Sequence, residues 1–216
     1  KSKNDFEVNF NVSLNKTPIK FYLLNFYKDE KSNGKLSVNF KKNNDKISLD
    51  NLSFISNNDK FFIKKLDLSN EYNLIDFAKL KFNYRDKNKI KNDLVITRKK
   101  NHYLIEGNNF SLSNIIENIL TGSNSNKTKL FRNKPRNFKI KFNENNIDKD
   151  HIIYDLQGEI TVNKSEIDKL NLKSKFYDGK EIFLSISNKD NQKITTFYSD
   201  LAKPFVKKFK FIKGFE

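Results

Sequence analysis

The chain has 216 residues, enough for one large or two small β units, and its formal net charge is +16. It contains no Cys, Met or Trp, so disulfides and thiol chemistry are excluded while the redox compartment stays open. No run approaches 18 apolar residues and no signal peptide is visible, so we expect any membrane anchor to lie outside this segment. The missing Met also indicates a piece of a longer chain.

The positive charge raises nucleic acid or an anionic membrane as a partner. The lysines, however, alternate with apolar residues along nearly every candidate strand, which is typical of solvated strand faces. Only four of the 42 basic residues are Arg, the side chain best suited to bidentate contacts with bases. No helix-turn-helix, zinc-finger or RNP motif is present. We therefore expect no nucleic-acid partner, and a basic binder of nucleic acid or lipopolysaccharide is a distant third hypothesis.

Alternating apolar and polar residues predict strands through the first half of the chain. The first runs from Phe6 to Leu14. The run Ile19–Tyr27 is apolar on both faces and predicts a strand that is covered on both sides. Asn70–Asp76 fits either a helical turn or the start of a strand. Turn residues such as Asn33-Gly34 separate further predicted strands at 36–40, 47–49, 52–54, 61–68, 82–84, 94–97 and 102–106.

The apolar spacing changes to three and four residues at Ser111–Thr121, which predicts one face of an amphipathic helix. Ser111 or Ser113 is its candidate N-cap, and Gly122 its stop. Its apolar face comprises Leu112, Ile115, Ile116, Ile119 and Leu120. Residues 123–136 have no pattern and predict a polar, mobile loop.

The second half predicts a strand at 138–142 and then a four-stranded antiparallel meander at 152–162, 170–176, 182–186 and 194–198. Asp178-Gly179 and residues 188–192 supply hairpin breakers. Asp200 is the candidate N-cap of a short helix ending near Lys208, followed by a strand from Phe209. Hairpins thus end in a short helix twice, at 94–121 and 182–209. We expect a single segment, 1–216, with weak two-unit organisation at 1–122 and 137–216.

Two stretches carry a family resemblance. Tyr103–Leu120 runs through Gly107 into the predicted helix, and it is similar to the strand, glycine and short helix of AsmA-like proteins, which are bridge-like lipid transfer proteins of the bacterial envelope. Leu156 through Asp200-Leu201-Ala202 to Gly214 resembles the C-terminal region of that family. Lys203 stands where the family usually has glycine. The resemblance covers residues 100–216. The first half of the chain resembles the family only in its general strand pattern.

The resemblance implies a mainly β fold: an extended, twisted antiparallel meander that curls into a groove, with one or two short amphipathic helices. It implies a non-enzymatic segment of an inner-membrane-anchored periplasmic protein, whose apolar groove carries phospholipid acyl chains between inner and outer membrane. The expected partners are acyl chains, neighbouring β repeats of the same protein, and the membrane through a segment outside this chain. The expected location is the periplasmic side of the inner membrane of a diderm bacterium. Because Lys, Asn, Ile and Phe have A/T-rich codons, their abundance also predicts that this bacterium has an A/T-rich genome.

The predicted groove lining consists of the inward apolar positions of the second half. These are Phe138, Ile140, Phe142, Ile152, Tyr154, Leu156, Ile160, Val162, Leu170, Leu172, Phe176, Ile182, Leu184 and Ile186. Apolar area removed from water, at about 25 cal/mol per Å², would hold an acyl chain there without directional contacts.

The alternative is a closed β-sandwich, since alternating apolar residues normally form a closed core. The chain would then be a structural or interaction domain. Without the family resemblance, the alternation alone favours this second hypothesis.

Candidates for catalysis are few. His102 and His151 have no metal-ligand spacing around them. Glu144, Asp148 and Asp150 crowd one turn, which could be a cation loop but lacks EF-hand spacing and is better interpreted as a solvated turn. No GxSxG, P-loop or GxGxxG sequence occurs. We expect no enzymatic activity, no cofactor and no metal.

Overall fold

The computed structural model describes residues 6–43, 46–116, 135–163, 166–190 and 192–209. These residues are mainly β. The strands are β1 (Phe6–Ser13), β2 (Ile19–Phe21), β3 (Phe26–Lys28), β4 (Lys35–Asn43), β5 (Lys46–Ser56), β6 (Asp59–Ser69), β7 (Leu74–Arg85), β8 (Lys91–Arg98), β9 (Tyr103–Ser111), β10 (Arg136–Asn146), β11 (Ile152–Asn163), β12 (Glu166–Lys175), β13 (Glu181–Lys189) and β14 (Gln192–Ser199). The helical elements are a 3-10 turn (Tyr22–Leu24), a helical turn at 113–116 and helix α1 (Lys203–Phe209).

Twelve strands form one sheet in the order β1-β4-β5-β6-β7-β8-β9-β10-β11-β12-β13-β14, and β2 and β3 form a separate hairpin. All neighbours in the large sheet are antiparallel except β9 and β10, which pair in parallel. The sequence predicts an antiparallel meander and misses this pair. Parallel neighbours need a long connection, and Ser111 and Arg136, which end β9 and begin β10, are far enough apart in the sequence to allow one. The two predicted units therefore share one sheet.

The sheet is open, because β1 and β14 are edges and do not pair with each other. This confirms a curled β-groove in place of a sandwich of two sheets. Cross-strand register places one residue of every strand in an unbroken row, which we call the middle row. Its members are Phe10, Val38, Leu52, Ile63, Leu80, Ile96, Ile105, Ile140, Gly158, Leu172, Leu184 and Phe197. We call the face that carries this row the groove face and the opposite one the outer face.

The predicted continuous strand at Ile19–Tyr27 is wrong. The chain reverses there, with Asn25 in the left-handed region at φ 50° and its N–H donating to the carbonyl of Tyr22 at 3.0 Å. A single strand cannot contain that reversal. The apolar residues are plentiful because the hairpin packs into the groove, where Phe26 is 2% exposed.

Three short elements close one end of the groove, which we call the capped end. The β2–β3 hairpin supplies Phe26, the segment around the helical turn supplies Leu112 and Ile116, and α1 supplies Phe205. All four side chains are buried in one cluster with groove-face residues. Those strand residues include Phe54, Phe61, Tyr84, Leu94, Phe142, Leu156 and Ile182. Because the hairpin and both helical elements join the same cluster, the sheet curls around them.

A bulge in β11 changes which side chains face the groove. Asp155 has φ 53°, and the register between β11 and β12 shifts between Tyr154 and Gln157. Regular alternation predicts Ile152 and Tyr154 on the groove face, but it is Ile153, 2% exposed, that joins the capped-end cluster. The extra residue reverses the alternation, as bulges do.

The predicted capping role of Asp200 is also wrong. Its carboxylate accepts the N–H of Glu181 at 2.7 Å and the hydroxyl of Tyr198, so it ties β13 to β14. Helix α1 begins at Lys203. The predicted helix at 111–121 is helical at residues 113–116, while Ser111 ends β9. The predicted loop at 123–136 ends earlier than expected, because Arg136 begins β10. Residues 117–134 and the predicted strand after Phe209 lie outside the described residues.

Candidate functional site

The groove face keeps its middle row partly open to solvent. Ile63, Leu80, Ile96, Ile105 and Ile140, which lie on five adjacent strands, are all neither buried nor fully exposed. Side chains at the centre of a closed β-sandwich would be buried on both sides. The middle row is thus an apolar floor, covered at the capped end and accessible along its centre.

Most of the predicted lining residues lie on this face. Burial is deepest for Phe138, Phe142, Leu156, Leu170, Phe176, Ile182, Leu184 and Ile186, while Ile140, Ile160, Val162 and Leu172 are half-buried. Ile152 and Tyr154 lie outside the apolar clusters, as described above.

The sequence-based lining misses half of the groove. Leu52, Ile63, Leu80, Ile96 and Ile105 continue the same row through β5–β9. Their alternation is visible in the sequence, but they lie mostly outside residues 100–216, the part of the chain that the family resemblance covers.

Two glycines let the floor pack closely. A Cβ on Gly107 would lie 2.5 Å from the ring of Phe142, and one on Gly158 would lie 1.9 Å from the carbonyl oxygen of Asn171 and 2.8 Å from Leu172. The absence of a side chain at each position leaves room for the large neighbour to lie across the strand.

Away from the capped end, the floor carries an aromatic stack. The ring of Tyr103 lies 4.7 Å from that of Phe77 and 5.2 Å from that of Phe138, measured between centroids. The Tyr103 hydroxyl donates to Asp76, which also pairs with Arg98. Burial and the Asp76 carboxylate raise the pKa of Tyr103 to about 12. The Tyr103 hydroxyl therefore stays protonated and uncharged at neutral pH, and the charged groups beside it are the side chains of Asp76 and Arg98.

One polar side chain interrupts the apolar face near the capped end. Asn145 lies opposite Phe110 and Ile153, both in the capped-end cluster, and is fully buried. Neither its amide nitrogen nor its amide oxygen has a hydrogen-bond partner. Nothing in the sequence pattern marks this residue, because asparagine is common along the whole chain.

The acidic turn is a closed local structure. The Asp148 carboxylate accepts the N–H groups of Asp150 and His151 at 2.8 Å and contacts the His151 ring at 2.9 Å. Burial alone would raise the Asp148 pKa, but these hydrogen bonds outweigh it and lower the pKa. Within the described ranges, no group of three or more His, Asp or Glu side chains is placed to hold a metal ion.

Two surface clefts lie away from the middle row. One, of about 450 Å³, is lined by residues at the ends of β1, β4 and β5, including Asn11, Lys35 and Ile55. The other, of about 290 Å³, lies beside the β2–β3 hairpin and mixes charges of both signs, including Asp59 and Arg85. Neither cleft belongs to the apolar floor.

No family profile, curated protein or solved structure matches this chain. Among the described residues, no helix has the length and apolar character that crossing a bilayer requires. The geometry of the groove is therefore the main structural basis for a functional proposal.

Proposed function

We propose that this chain is a non-enzymatic lipid-conducting segment of an AsmA-like envelope protein. Its groove would carry phospholipid acyl chains between the inner and outer membranes on the periplasmic side. The observation that carries this proposal is the middle row, which is apolar on every strand of the large sheet except at Gly158 and is partly exposed from Ile63 to Ile140. An acyl chain requires a continuous apolar path and no directional partner.

The alternating faces support the same proposal. Most positions that flank the middle row along each strand are polar and lie on the outer face, so a lipid tail would lie in the groove, away from the more polar face. Burying a tail along the floor would be stabilised by about 25 cal/mol per Å² of apolar area removed from water. The capped end would bound the path on one side, because Phe26, Ile116 and Phe205 fill it.

A structural β domain is the second candidate. The buried cluster at the capped end favours it, since Phe61, Phe142 and Phe205 there are packed as in an ordinary core. The two candidates differ at the middle row. A closed domain needs those side chains for folding, while a lipid groove needs them for binding.

The test places an acid on each face of one strand. Ile105→Asp puts a charge on the groove floor, and Leu104→Asp makes the same kind of change on the outer face of β9. After purification from bacterial membranes, lipid is extracted and quantified by mass spectrometry. We expect Ile105→Asp to lower co-purified phospholipid about tenfold, because a charge in an apolar site costs several kcal/mol, and Leu104→Asp to leave it unchanged.

Circular dichroism decides how a loss is interpreted. A folded Ile105→Asp protein without lipid supports conduction. If wild-type protein carries no phospholipid, or if Ile105→Asp unfolds while Leu104→Asp does not, the closed-core candidate replaces the groove.

A further inference from the structure

The outer face carries four lysines on two neighbouring strands. Lys60 and Lys64 lie on β6, and Lys79 and Lys81 lie on β7, all exposed. Lys64 is directly opposite Lys79 in the register. Like charges directly opposite each other in a sheet destabilise it, so this arrangement is costly without an anion nearby. We call these four residues the lysine patch.

The lysine patch lacks the ion pairs that other sheet lysines form. Lys41 contacts Asp50 at 2.8 Å, Lys139 contacts Glu159 at 3.5 Å, and Lys175 contacts Asp155 at 2.8 Å. In the described part of the chain, none of the four patch lysines has an acidic partner within ion-pair distance. Two acids lie next to this surface in the register, Asp93 opposite Asn83 and Glu106 opposite Val95, but neither is directly opposite a patch lysine. The charge here is thus locally uncompensated.

Apolar side chains lie between the lysines. Phe62 is opposite Lys81 and stands between Lys60 and Lys64 along β6. Ile55 is opposite Lys60 and 43% exposed, and Val95 is opposite Lys81 on the other side. Adjacent strands are about 4.8 Å apart and same-face residues about 6.8 Å apart, so these side chains form one contiguous surface.

We propose that the lysine patch docks onto an anionic phospholipid bilayer. Ammonium groups would meet lipid phosphates, while Phe62 and Ile55 would enter the headgroup boundary, as apolar residues flanked by lysines do at membrane surfaces. The patch contains no Arg for reading bases, and Phe62 is the one aromatic ring among the three apolar side chains named above, whereas strand-binding surfaces stack successive bases on several rings. A bilayer also presents many phosphates side by side, which matches four lysines that lie close together on two adjacent strands. The proposal does not rest on the lipid groove.

The experiment is vesicle co-sedimentation of the whole 216-residue chain. Vesicles are phosphatidylcholine alone or mixed in equal parts with phosphatidylglycerol. The wild-type chain is expected to bind the mixed vesicles and not the neutral ones. In the variant Lys64→Gln/Lys79→Gln, partitioning is expected to fall about 25-fold, since each lysine near an anionic surface contributes about fivefold. Both side chains are exposed, so folding should persist, which circular dichroism verifies.

Two further variants make the result decisive. Lys139→Gln/Lys175→Gln removes the same net charge from lysines that have acidic partners, and it is expected to change partitioning less than about twofold. Phe62→Ala is expected to weaken binding to mixed vesicles but not to heparin, a polyanion without an apolar phase. Equal losses in the two lysine variants would overturn the proposal, as would tighter binding to single-stranded DNA than to mixed vesicles or equal binding to both kinds of vesicle.

Discussion

At the scale of single residues, two fully buried asparagines differ only in their partners. Asn92 donates to the carbonyl of Ile90 at 2.9 Å and accepts the N–H of Ser111 at 2.8 Å. Asn145 is equally buried, but neither polar atom of its amide group has a partner. A buried polar group without a partner costs about 1–3 kcal/mol. Asn145 is therefore an energetic weakness on the groove face.

We expect Asn145→Leu to raise the free energy of unfolding by about 1–2 kcal/mol, because it removes that cost and keeps a similar volume. Asn92→Leu is the matched control and should lower it by about 2 kcal/mol, since it breaks two buried hydrogen bonds. Urea unfolding measures both. If Asn145→Leu destabilises as much as Asn92→Leu, the amide has a polar partner, such as an ordered water or a lipid headgroup.

The buried Tyr103 hydroxyl is expected to lose its proton only at strongly alkaline pH. Its pKa is raised from the ordinary value of 10.0 to about 12 by burial and by Asp76. A raised folded-state pKa gives stability that is fully present below pH 10 and is lost as the pH rises through about 12. The difference in phenolate absorbance between wild type and Tyr103→Phe should have its midpoint near pH 12. A midpoint near 10, the value for a free tyrosine, would contradict the buried hydrogen bond.

At the scale of elements, the β2–β3 hairpin fills the capped end of the groove. The Phe26 ring lies 4.7 Å from that of Phe61 and 5.8 Å from that of Tyr84. The Tyr84 hydroxyl donates to the carbonyl of Leu24 at 2.9 Å, so the sheet holds the hairpin by both packing and hydrogen bonding. Burial, reinforced by the charge of Asp86, raises the pKa of Tyr84, which keeps this donor protonated.

Phe26→Ala should lower the free energy of unfolding by about 3–5 kcal/mol, because it leaves a cavity in the capped-end cluster. Tyr27→Ala, on the same short strand but 46% exposed, should cost less than about 1 kcal/mol. Thermal unfolding compares the two variants. Equal losses would mean that the hairpin contributes through its backbone and that Phe26 is not its anchor.

Strand positions could be predicted because they depend on local alternation, which is strong from Phe6 to Val12 and from Leu156 to Val162. The hairpin at Ile19–Tyr27 could not be predicted, because a continuous apolar run has no period that distinguishes a buried strand from a hairpin packed into the groove. The bulge at Asp155 needs a left-handed residue that the sequence does not mark. Regular alternation therefore assigned Tyr154 to the groove, and the structure assigns Ile153.

The parallel pairing of β9 with β10 depends on contacts between segments that are distant in the sequence. Alternation predicts that both are strands, but it does not encode their relative direction, which the structure shows to be parallel. Only part of the candidate site could be predicted from the sequence. The groove-face residues of β10–β13 follow from alternation and the family resemblance, while Asn145 and the lysine patch require the cross-strand register.

At the scale of the whole molecule, an open sheet leaves both a floor and two edges. A floor suits a lipid tail, but edges carry unpaired backbone groups that can join another chain. The β1 edge is the more apolar one. Its groove-face side chains Phe6, Val8, Phe10 and Val12 are between 39% and 50% exposed, and β1 pairs only with β4.

We therefore expect the isolated chain to self-associate through β1. Phe10→Lys should weaken the association by about tenfold or more, because burying a phenylalanine contributes about 1.5–3 kcal/mol and a lysine on an edge strand opposes pairing. Asn9→Lys adds the same charge to the outer face of β1 and should have a smaller effect, since it leaves the apolar ladder intact. Sedimentation velocity over a concentration series measures both. A monomer at all concentrations, or equal weakening by the two variants, would show that the exposed ladder does not drive association.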